Sequence, residues 1–331
     1  MTTKEKMKAI VYEEYGPPEV LQLREVEKPA PKEDEVLVRV HAASLNYGDL
    51  PVLRGKLMQR LVSGGIRKPK HKILGDDIAG QVETVGGNVK RFKPGDEVFG
   101  ISVFGAFAEY VCAEDKYLAL KPASITFEQA ASVPLAAITA LHSLCDKRQV
   151  QSGQKVLING ASGGVGTFAV QIAKAFGAEV TGVCSTSKLD MVRSIGADQV
   201  IDYTQEDFTR SGQQYDLILA VGGYHPISDY KRALNSEGIF MCIGGSASQY
   251  FQAMLLGPFI SMVGSKKMGV VMPKPNQKDY EFLTELIETG ILVPVIDRSY
   301  PLGEVPEALR YLEEGHAKGK IVITMDQNYG I

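Results

Sequence analysis

The sequence predicts a two-domain α/β protein, in which a Rossmann-type doubly wound parallel sheet accompanies an irregular β-barrel. Three observations predict this fold class. The chain has 331 residues, which is longer than a domain with a single hydrophobic core usually is. An apolar run of strand length, 155–159, opens into a glycine-rich turn and then into a segment of helical periodicity. Short, turn-punctuated strands fill about the first 125 residues, whereas strands alternate with helices after Phe127.

The region from Lys8 to about Ile125 has the pattern of β structure. Runs rich in β-branched residues lie at 7–12, 35–40 and 78–85, and turns such as Lys93-Pro94-Gly95-Asp96 separate them. Short strands of this kind favour a barrel. Between Leu53 and Leu74 the pattern changes to a loop with a basic run, Arg67–Lys72, for which a solvated charged face is the favoured interpretation and a mobile cleft edge the alternative.

The region after Phe127 alternates between strands and helices, which requires a parallel sheet with right-handed crossovers. The predicted strands are 155–159, 179–184, 199–203, 216–221, 238–243 and 268–272, and the predicted helices are 134–145, 167–176, 188–195 and 227–234. Helices near 278–288 and 304–313 and a strand at 320–324 follow. We expect this tail to return to the first domain, so the predicted domains are 1–125 with 273–331, and 126–272.

Composition and charge exclude several classes of function. The net charge of −3 gives no broad electrostatic basis for binding nucleic acid or an anionic membrane. The first residues do not have the pattern of a leader, and no apolar run reaches about 20 residues, the length of a membrane span, so we expect a cytoplasmic protein. The four cysteines, Cys112, Cys145, Cys184 and Cys242, form no paired motif, and the five histidines are scattered, so no metal site is expected from them.

The glycine-rich turn at 159–166 is a candidate dinucleotide clamp. Glycines there let the backbone approach a pyrophosphate closely, and the N-terminus of the following helix offers N–H groups to its negative charge. Ala161 stands where the dinucleotide fingerprint usually has its first glycine, so an ordinary tight turn between strand and helix stays an alternative. The residues predicted to hold the pyrophosphate are Ser162, Gly163, Gly164, Val165 and Gly166.

Several stretches together resemble the medium-chain dehydrogenase/reductase superfamily. They are Ala43–Asp49, Leu74–Gly80, Val85–Val98, Gly105–Tyr110 and Asn159–Gly166. Their joint occurrence is more specific than the glycine turn alone, and the resemblance is closest to the zinc-free quinone oxidoreductase and enone reductase branch. It implies that the barrel is a discontinuous GroES-like catalytic domain and that the Rossmann domain binds NADP.

The chain departs from the zinc-dependent alcohol dehydrogenases of that superfamily. Those enzymes have a metal-binding cysteine where this chain has Asn46, and a histidine followed by a glutamate where it has Asp76-Asp77; the four-cysteine lobe is also absent. The resemblance therefore implies that no metal is bound. As alternatives, the two carboxylates could hold a hard cation such as magnesium, cap the following strand or meet a basic partner.

Loss of zinc restricts the chemistry, because zinc supplies the Lewis acid that polarises an unactivated carbonyl. Quinones and α,β-unsaturated carbonyls remain reducible, since they delocalise the negative charge that arrives with hydride. We therefore expect hydride transfer from NADPH to a quinone or an enone. Two alternatives stay open, namely an enoyl-thioester reductase, whose substrate phosphates would meet the basic residues of 67–72, and a non-catalytic NADPH-binding sensor.

The choice of NADPH over NADH depends on the residues after the second Rossmann strand. An NAD-specific site has a carboxylate there, whereas this chain has hydroxyls and a cation, Ser185, Thr186 and Lys188, which suit a 2′-phosphate. The resemblance places Tyr203 near the same phosphate. Asp190 is the nearest acid and could serve NAD instead, but we expect it inside the following helix.

Three residues are candidate catalytic groups. Thr139 matches a threonine near the nicotinamide, although its hydroxyl could equally bond back to a helix carbonyl. Asn46 could donate its amide to a substrate or ribose oxygen, or be structural. Tyr47 could donate the proton, with solvent as the alternative source.

Further cofactor contacts and the oligomeric state also follow from position and resemblance. Gly222 and Gly244 lie just after strands, where the carboxyl ends of a parallel sheet meet the ligand. Gly319 and Lys320 resemble the C-terminal cofactor contact of the superfamily. The resemblance suggests a homodimer through the edge strand near 268–272, since that edge would otherwise be bare.

Overall fold

The chain divides into two units in its computed structural model, which describes residues 5–57, 59–60, 65–145 and 149–325. Unit 1 comprises Met1–Leu135, Pro275–Glu288 and Pro294–Ile331, and unit 2 comprises Ala136–Lys274 and Thr289–Val293. Unit 1 is therefore discontinuous in sequence. The predicted domain boundaries, at residues 125 and 272, lie close to Leu135 and Lys274.

Unit 1 is built on antiparallel strands. They are β1 (Lys6–Val11), β2 (Gln22–Glu27), β3 (Glu35–Ser44), β4 (Asp77–Val85), β5 (Glu97–Ile101), β6 (Tyr110–Glu114) and β7 (Leu118–Leu120), followed late in the chain by β14 (Ile296–Pro301) and β15 (Lys320–Thr324). The larger sheet has the order β14-β15-β3-β4-β5-β7, with β6 also paired to β3, and β1 pairs with β2. Within this sheet only the described pair β14 and β15 is parallel. Strand β15 thus brings the C-terminal segment into this sheet, between β14 and β3.

Short helices complete unit 1. They are α1 (Asp49–Leu53), α2 (Phe127–Ala131), α8 (Gln277–Glu288) and α9 (Val305–Glu313). A capping box formed by Thr126 and Gln129 starts α2. Helix α9 buries Val305 and Leu309 in the same apolar core as strand residues such as Val38, which fixes the C-terminal segment to this unit.

Unit 2 is a doubly wound parallel sheet, as predicted. Its strands are β8 (Lys155–Asn159), β9 (Glu179–Cys184), β10 (Gln199–Asp202), β11 (Tyr215–Ala220), β12 (Leu234–Cys242) and β13 (Lys267–Val270), in the order β10-β9-β8-β11-β12-β13. The helices are α3 (Pro134–Cys145, whose first two residues belong to unit 1), α4 (Gly164–Ala175), α5 (Leu189–Ser194), α6 (Ile227–Ala233) and α7 (Ala247–Val263). The strand order reverses between β8 and β11, and ligands of open α/β sheets bind at the carboxyl ends of such a switch point.

Several elements were not predicted from the sequence with bounds of their own, among them β2, β5, β6, β7, β14, α1, α2 and α7. Strand β2 is largely exposed, β14 is mostly half-buried, and neither has an apolar alternation. Helix α7 is apolar on most sides and contains Pro258, so no amphipathic stripe marks it. None of the helices in the described residues is long and apolar enough to cross a membrane.

The segment between Leu53 and Leu74 was predicted as an exposed loop, and residues 58 and 61–64 of it lie outside the described part. The charged residues of the basic run are exposed, and Lys72 pairs with Glu13 at 2.9 Å. Tyr15 packs against the same segment, because its hydroxyl donates to the carbonyl of Gly65 and the Arg60 guanidinium lies 4.7 Å from its ring centroid.

Candidate functional site

The glycine turn of unit 2 joins β8 to α4 with backbone contacts too close for side chains. Gly160 has φ +94°, a left-handed conformation that favours glycine. A Cβ on Gly166 would lie 2.1 Å from the Gly160 carbonyl oxygen, and a Cβ on Gly160 would lie 2.8 Å from the amide nitrogen of Gly222. The glycines therefore pack strand ends β8 and β11 against the start of the helix.

The start of α4 is open to a ligand. Gly163 is the N-cap, and its lack of a side chain leaves the first N–H groups of this 12-residue helix without side-chain capping. A Cβ on Gly163 would meet only the Gly160 carbonyl oxygen, at 3.7 Å. The predicted pyrophosphate residues thus form a backbone cradle with room for an anion at a helix N-terminus.

A buried polar network fixes the loops beside this cradle. The Asn159 amide donates to the Gly222 carbonyl and to the Tyr230 hydroxyl, each at 3.1 Å. The Tyr230 hydroxyl donates to Gln249 at 3.0 Å, and the Gln249 amide donates to the Gly244 carbonyl at 3.0 Å. The loops that carry Gly222 and Gly244 are therefore held from below by side chains that the sequence analysis did not identify.

The predicted 2′-phosphate residues lie at the ends of neighbouring strands. Cys184 pairs with Asp202, so the segment Ser185–Lys188 lies beside Tyr203, whose amide donates to the Cys184 carbonyl at 3.1 Å. Lys188 is buried, and Tyr203 is exposed. The sequence analysis missed Asp202, which accepts the Thr186 hydroxyl.

The pKa of Asp202 is held below its ordinary value by hydrogen bonds, of which the one from the Thr186 hydroxyl has the largest effect. Thr204 adds its amide at 2.9 Å and its hydroxyl at 2.8 Å. Asp190, the alternative NAD contact, lies in the first turn of α5 and pairs with Arg193 at 3.0 Å. The Thr186 hydroxyl is therefore already committed to a carboxylate.

Unit 1 contains a buried polar centre around Asp77, which is completely inaccessible to solvent. Its Oδ2 accepts hydrogen bonds from Ser44 Oγ at 3.1 Å, Asn46 Nδ2 at 3.0 Å and Lys320 Nζ at 3.3 Å. Its Oδ1 accepts the backbone N–H of Leu135, at the start of α3, at 2.9 Å. Lys320 Nζ also donates to Asn46 Oδ1 at 2.7 Å. The structure thus joins Asn46 and Lys320, for which the sequence suggested separate roles, and Asp77 has a basic partner.

Two further carboxyl groups border this centre. Asp49 accepts the backbone N–H of Asn46 at 2.8 Å, and Asp76 accepts that of Phe104 at 2.8 Å. Burial, and after it the charge of Asp76, raise the pKa of Asp49 to about 8. Burial likewise raises the pKa of Asp76 to about 6. Asp76 holds a strained turn, since Val103 and Phe104 have φ values of +53° and +78°.

The remaining predicted residues are placed as follows. Tyr47 of unit 1 is 65% exposed, and Thr139 of unit 2 is buried on α3 and accepts the Ser143 hydroxyl with its carbonyl at 2.6 Å. Gly319 has φ +98°, and a Cβ there would lie 2.2 Å from the Val295 carbonyl oxygen, so glycine is needed to lead into Lys320. Among the described residues, no three histidine, cysteine or acidic side chains are grouped so that they could hold a metal ion.

Comparisons with known proteins identify the family. Residues 32–123 match the family described as the alcohol dehydrogenase GroES-like domain, and residues 195–323 match that of zinc-binding dehydrogenases. The chain is 37% identical over 332 residues to the NADPH-dependent alkenal/one oxidoreductase, chloroplastic, of Arabidopsis thaliana, covering 96% of this chain and 79% of that protein. The chain belongs to the medium-chain dehydrogenase/reductase superfamily.

Two further members of the superfamily support the predicted branch. A quinone-oxidoreductase homolog, chloroplastic, of Spinacia oleracea is 33% identical over 331 residues, covering 96% of this chain and 98% of that protein. The crystal structure of Escherichia coli quinone oxidoreductase complexed with NADPH has a TM-score of 0.84 and 26% identity, covering 96% of this chain and 99% of that chain. The predicted resemblance to quinone and enone oxidoreductases of this superfamily, and the predicted fold class, are confirmed.

The raised pKa of Asp49 predicts a pH-dependent stability. The folded protein keeps the Asp49 proton, whereas the unfolded chain releases it above about pH 4. The stability that the protonated carboxyl contributes is therefore complete below about pH 4. It is lost as the pH rises towards 8. Asp49→Asn keeps an oxygen for the Asn46 N–H and has no proton to lose. We expect it to raise the free energy of unfolding by about 1–3 kcal/mol at pH 8 and by much less at pH 4.5.

Urea denaturation between pH 4.5 and 8 measures this difference. The control is Asp190→Asn, which makes the same change on a fully exposed side chain and should leave the pH dependence as in the wild type. A gain from Asp49→Asn that is equal at all pH values would contradict the assignment.

Proposed function

We propose that this protein is an NADPH-dependent oxidoreductase that transfers hydride to a quinone or an α,β-unsaturated carbonyl without a metal. The observation that carries the proposal is the buried Lys320 ammonium, which lies 2.7 Å from Asn46 Oδ1 and 3.3 Å from Asp77 Oδ2. Asn46 and Asp76-Asp77 stand where the zinc-dependent branch has metal ligands. A fixed ammonium bonded there competes electrostatically with a second cation.

The residues of unit 2 fit NADPH. The glycine cradle at the start of α4 has room for a pyrophosphate and offers it backbone N–H groups, and Gly222 and Gly244 border it on fixed loops. Ser185, Lys188 and Tyr203 follow the neighbouring ends of β9 and β10, and we assign the 2′-phosphate to this edge of the sheet, while the Thr186 hydroxyl is directed to Asp202. The relative from Arabidopsis thaliana is named for NADPH dependence, and the Escherichia coli structure holds NADPH, which supports the same cofactor here.

The chemistry divides between cofactor and protein. NADPH, when bound, supplies the hydride, and the acceptor spreads the incoming negative charge onto its own oxygen. Asn46 provides an amide donor for that oxygen. Tyr47, largely exposed, and solvent are the proton sources for the reduced product. Such an acceptor needs no Lewis acid, because its conjugated system stabilises the developing charge.

An enoyl thioester is a second candidate acceptor, favoured by one cavity of unit 1. This cavity of about 520 Å³ is lined by Lys70, Lys72, His71 and Phe104 among other residues. The rings of His71 and Phe104 stack with centroids 4.4 Å apart, so the cavity wall combines a flat aromatic surface with two lysines and with the carboxylates of Glu35 and Glu114. The aromatic surface and Lys70 suit the ring and a phosphate of a nucleotide-bearing thioester, whereas Lys72 is paired with Glu13 and the two carboxylates oppose further phosphates.

Steady-state assays with three acceptors test the proposed function. With NADPH, a quinone and an alkyl vinyl ketone should be reduced in the presence of a chelator, and kcat/KM with NADPH should exceed that with NADH by about tenfold or more, because a charge-assisted contact to phosphate is worth at least 1.4 kcal/mol. Turnover of crotonyl thioester alone would favour the second candidate. Tight NADPH binding without turnover of any acceptor would indicate a sensor, and chelator-sensitive oxidation of ethanol would contradict the metal-free mechanism.

We further propose a homodimer that forms through β13. In the described sheet of unit 2, β13 is the last strand on its side, and Val271 donates its N–H to Cys242 of β12, so the N–H of Val270 points to the open edge. Helix α7 covers the first part of this edge, because Ser261 Oγ accepts the outward Met268 N–H at 2.9 Å, so the part left for a second copy is at Val270.

The apolar residues at the end of α7 support the same surface. Met262 and Val263 are 83% and 91% exposed. Exposed apolar surface continuous with an open sheet edge suits a second copy of the same chain, related by a two-fold axis.

Light scattering tests the dimer. The wild type should have twice the chain mass of 36.0 kDa, whereas Val270→Pro, which removes an outward donor, and Met262→Glu, which places a charge on the apolar surface, should be monomers. Leu23→Glu changes an exposed apolar residue of unit 1 and serves as the matched control. A monomeric wild type would contradict the proposal, and a dimeric Val270→Pro would show that the edge strand is not the contact.

A further inference from the structure

The carboxamide of Asn46 is held at both ends by charged side chains. Its Oδ1 accepts from Lys320 Nζ at 2.7 Å, and its Nδ2 donates to Asp77 Oδ2 at 3.0 Å. An ammonium can only donate and an ionised carboxylate can only accept. A flipped amide would turn its NH₂ group towards the Lys320 ammonium and its oxygen towards the Asp77 carboxylate, and neither pair could form a hydrogen bond. The two neighbours therefore determine a single orientation of Asn46.

This orientation leaves one donor of the amide for another partner. An amide nitrogen carries two N–H groups, and Asp77 takes one of them. Asn46 is only partly buried, whereas Asp77 and Lys320 are completely or almost completely buried, so the side of the amide away from them is the accessible one. The second N–H is consequently available to a bound molecule.

We propose that Lys320 and Asp77 are positioning residues that orient Asn46, so that its second N–H donates to the acceptor oxygen on which negative charge develops. The inference rests on the proposed function and adds a role for Lys320 other than the expected cofactor contact. The Lys320 ammonium also polarises the Asn46 carbonyl, which strengthens the amide as a donor.

The backbone on both sides of this contact is fixed as well. Asp49 accepts the Asn46 N–H at 2.8 Å, which holds the turn after β3. Gly319, at φ +98°, leads into β15, and the Lys320 N–H donates to the Val295 carbonyl at 2.8 Å. Both side chains therefore project from constrained positions, as a preorganised donor requires.

A cycle of variants tests whether Lys320 acts through Asn46. We expect Asn46→Ala to lower kcat for an enone by about 10²-fold, the usual loss of one donor to a developing oxyanion, with an unchanged Kd for NADPH. Lys320→Met should lower kcat by at least about tenfold, also with little change in that Kd. In the Asn46→Ala background, Lys320→Met should cause almost no further loss, because the residue it orients is already absent. Lys320→Arg, which keeps the cation, should restore most of the activity.

Nicotinamide fluorescence titration, steady-state kinetics and thermal melting are measured on each variant. An equal loss of kcat from Lys320→Met in the wild-type and the Asn46→Ala backgrounds would overturn the proposal. A rise in the KM and Kd for NADPH at unchanged kcat would also overturn it, because Lys320 would then be a cofactor contact. If Lys320→Met does not fold, Lys320→Gln, a neutral donor, takes its place in the cycle. A wild type that does not bind NADPH would refute the proposed function itself, which separates the two failures.

Discussion

The carboxylate of Asp77 is completely buried, and a buried charge costs several kcal/mol unless donors surround it. Here each of its four donors comes from a different part of unit 1: the end of β3, the turn that follows it, the start of β15 and the start of α3. The same group therefore ties the late C-terminal strand to the early sheet. Without Lys320 the charge would lack its cation, and without Asp77 the ammonium would be buried alone.

This constraint explains why the C-terminal segment belongs to unit 1. Strand β15 pairs with β3, so that Val322 lies opposite Ser44. Lys320, two residues before Val322, therefore lies next to the end of β3 and contacts Asp77 and Asn46. The apolar face of α9 adds burial against the same core. Sheet pairing, apolar packing and one ion pair thus act on the same segment, and the ion pair alone also orients a side chain that we assign to the chemistry.

The sequence predicted most of unit 2, because its signals are local. Strands such as β8 and β11 are mostly apolar and buried. The glycines of the turn are spaced as a close approach between backbone segments requires. Helix α7 escaped because its apolar residues do not lie on one face. The role of Asp202 was not predicted, because nothing in its local sequence shows that it would accept the Thr186 hydroxyl, 16 residues away in the chain.

The polar centre of unit 1 could be predicted only in part. The resemblance pointed to Asn46 and Lys320 separately, and Asp77 was left with several interpretations. Lys320 lies 243 residues from Asp77 and 274 from Asn46 in sequence, so only the pairing of β15 with β3 brings the three side chains together. No local pattern encodes a contact of that range.

The central claim, that Lys320 is the cation that balances the buried Asp77 charge, is tested most directly by a double-mutant cycle on stability. Asp77→Asn, Lys320→Met and the double variant are compared by urea denaturation. We expect each single variant to lose about 3 kcal/mol and the double variant to lose clearly less than the sum, because neither then leaves a buried charge unpaired. Losses that simply add would contradict the claim.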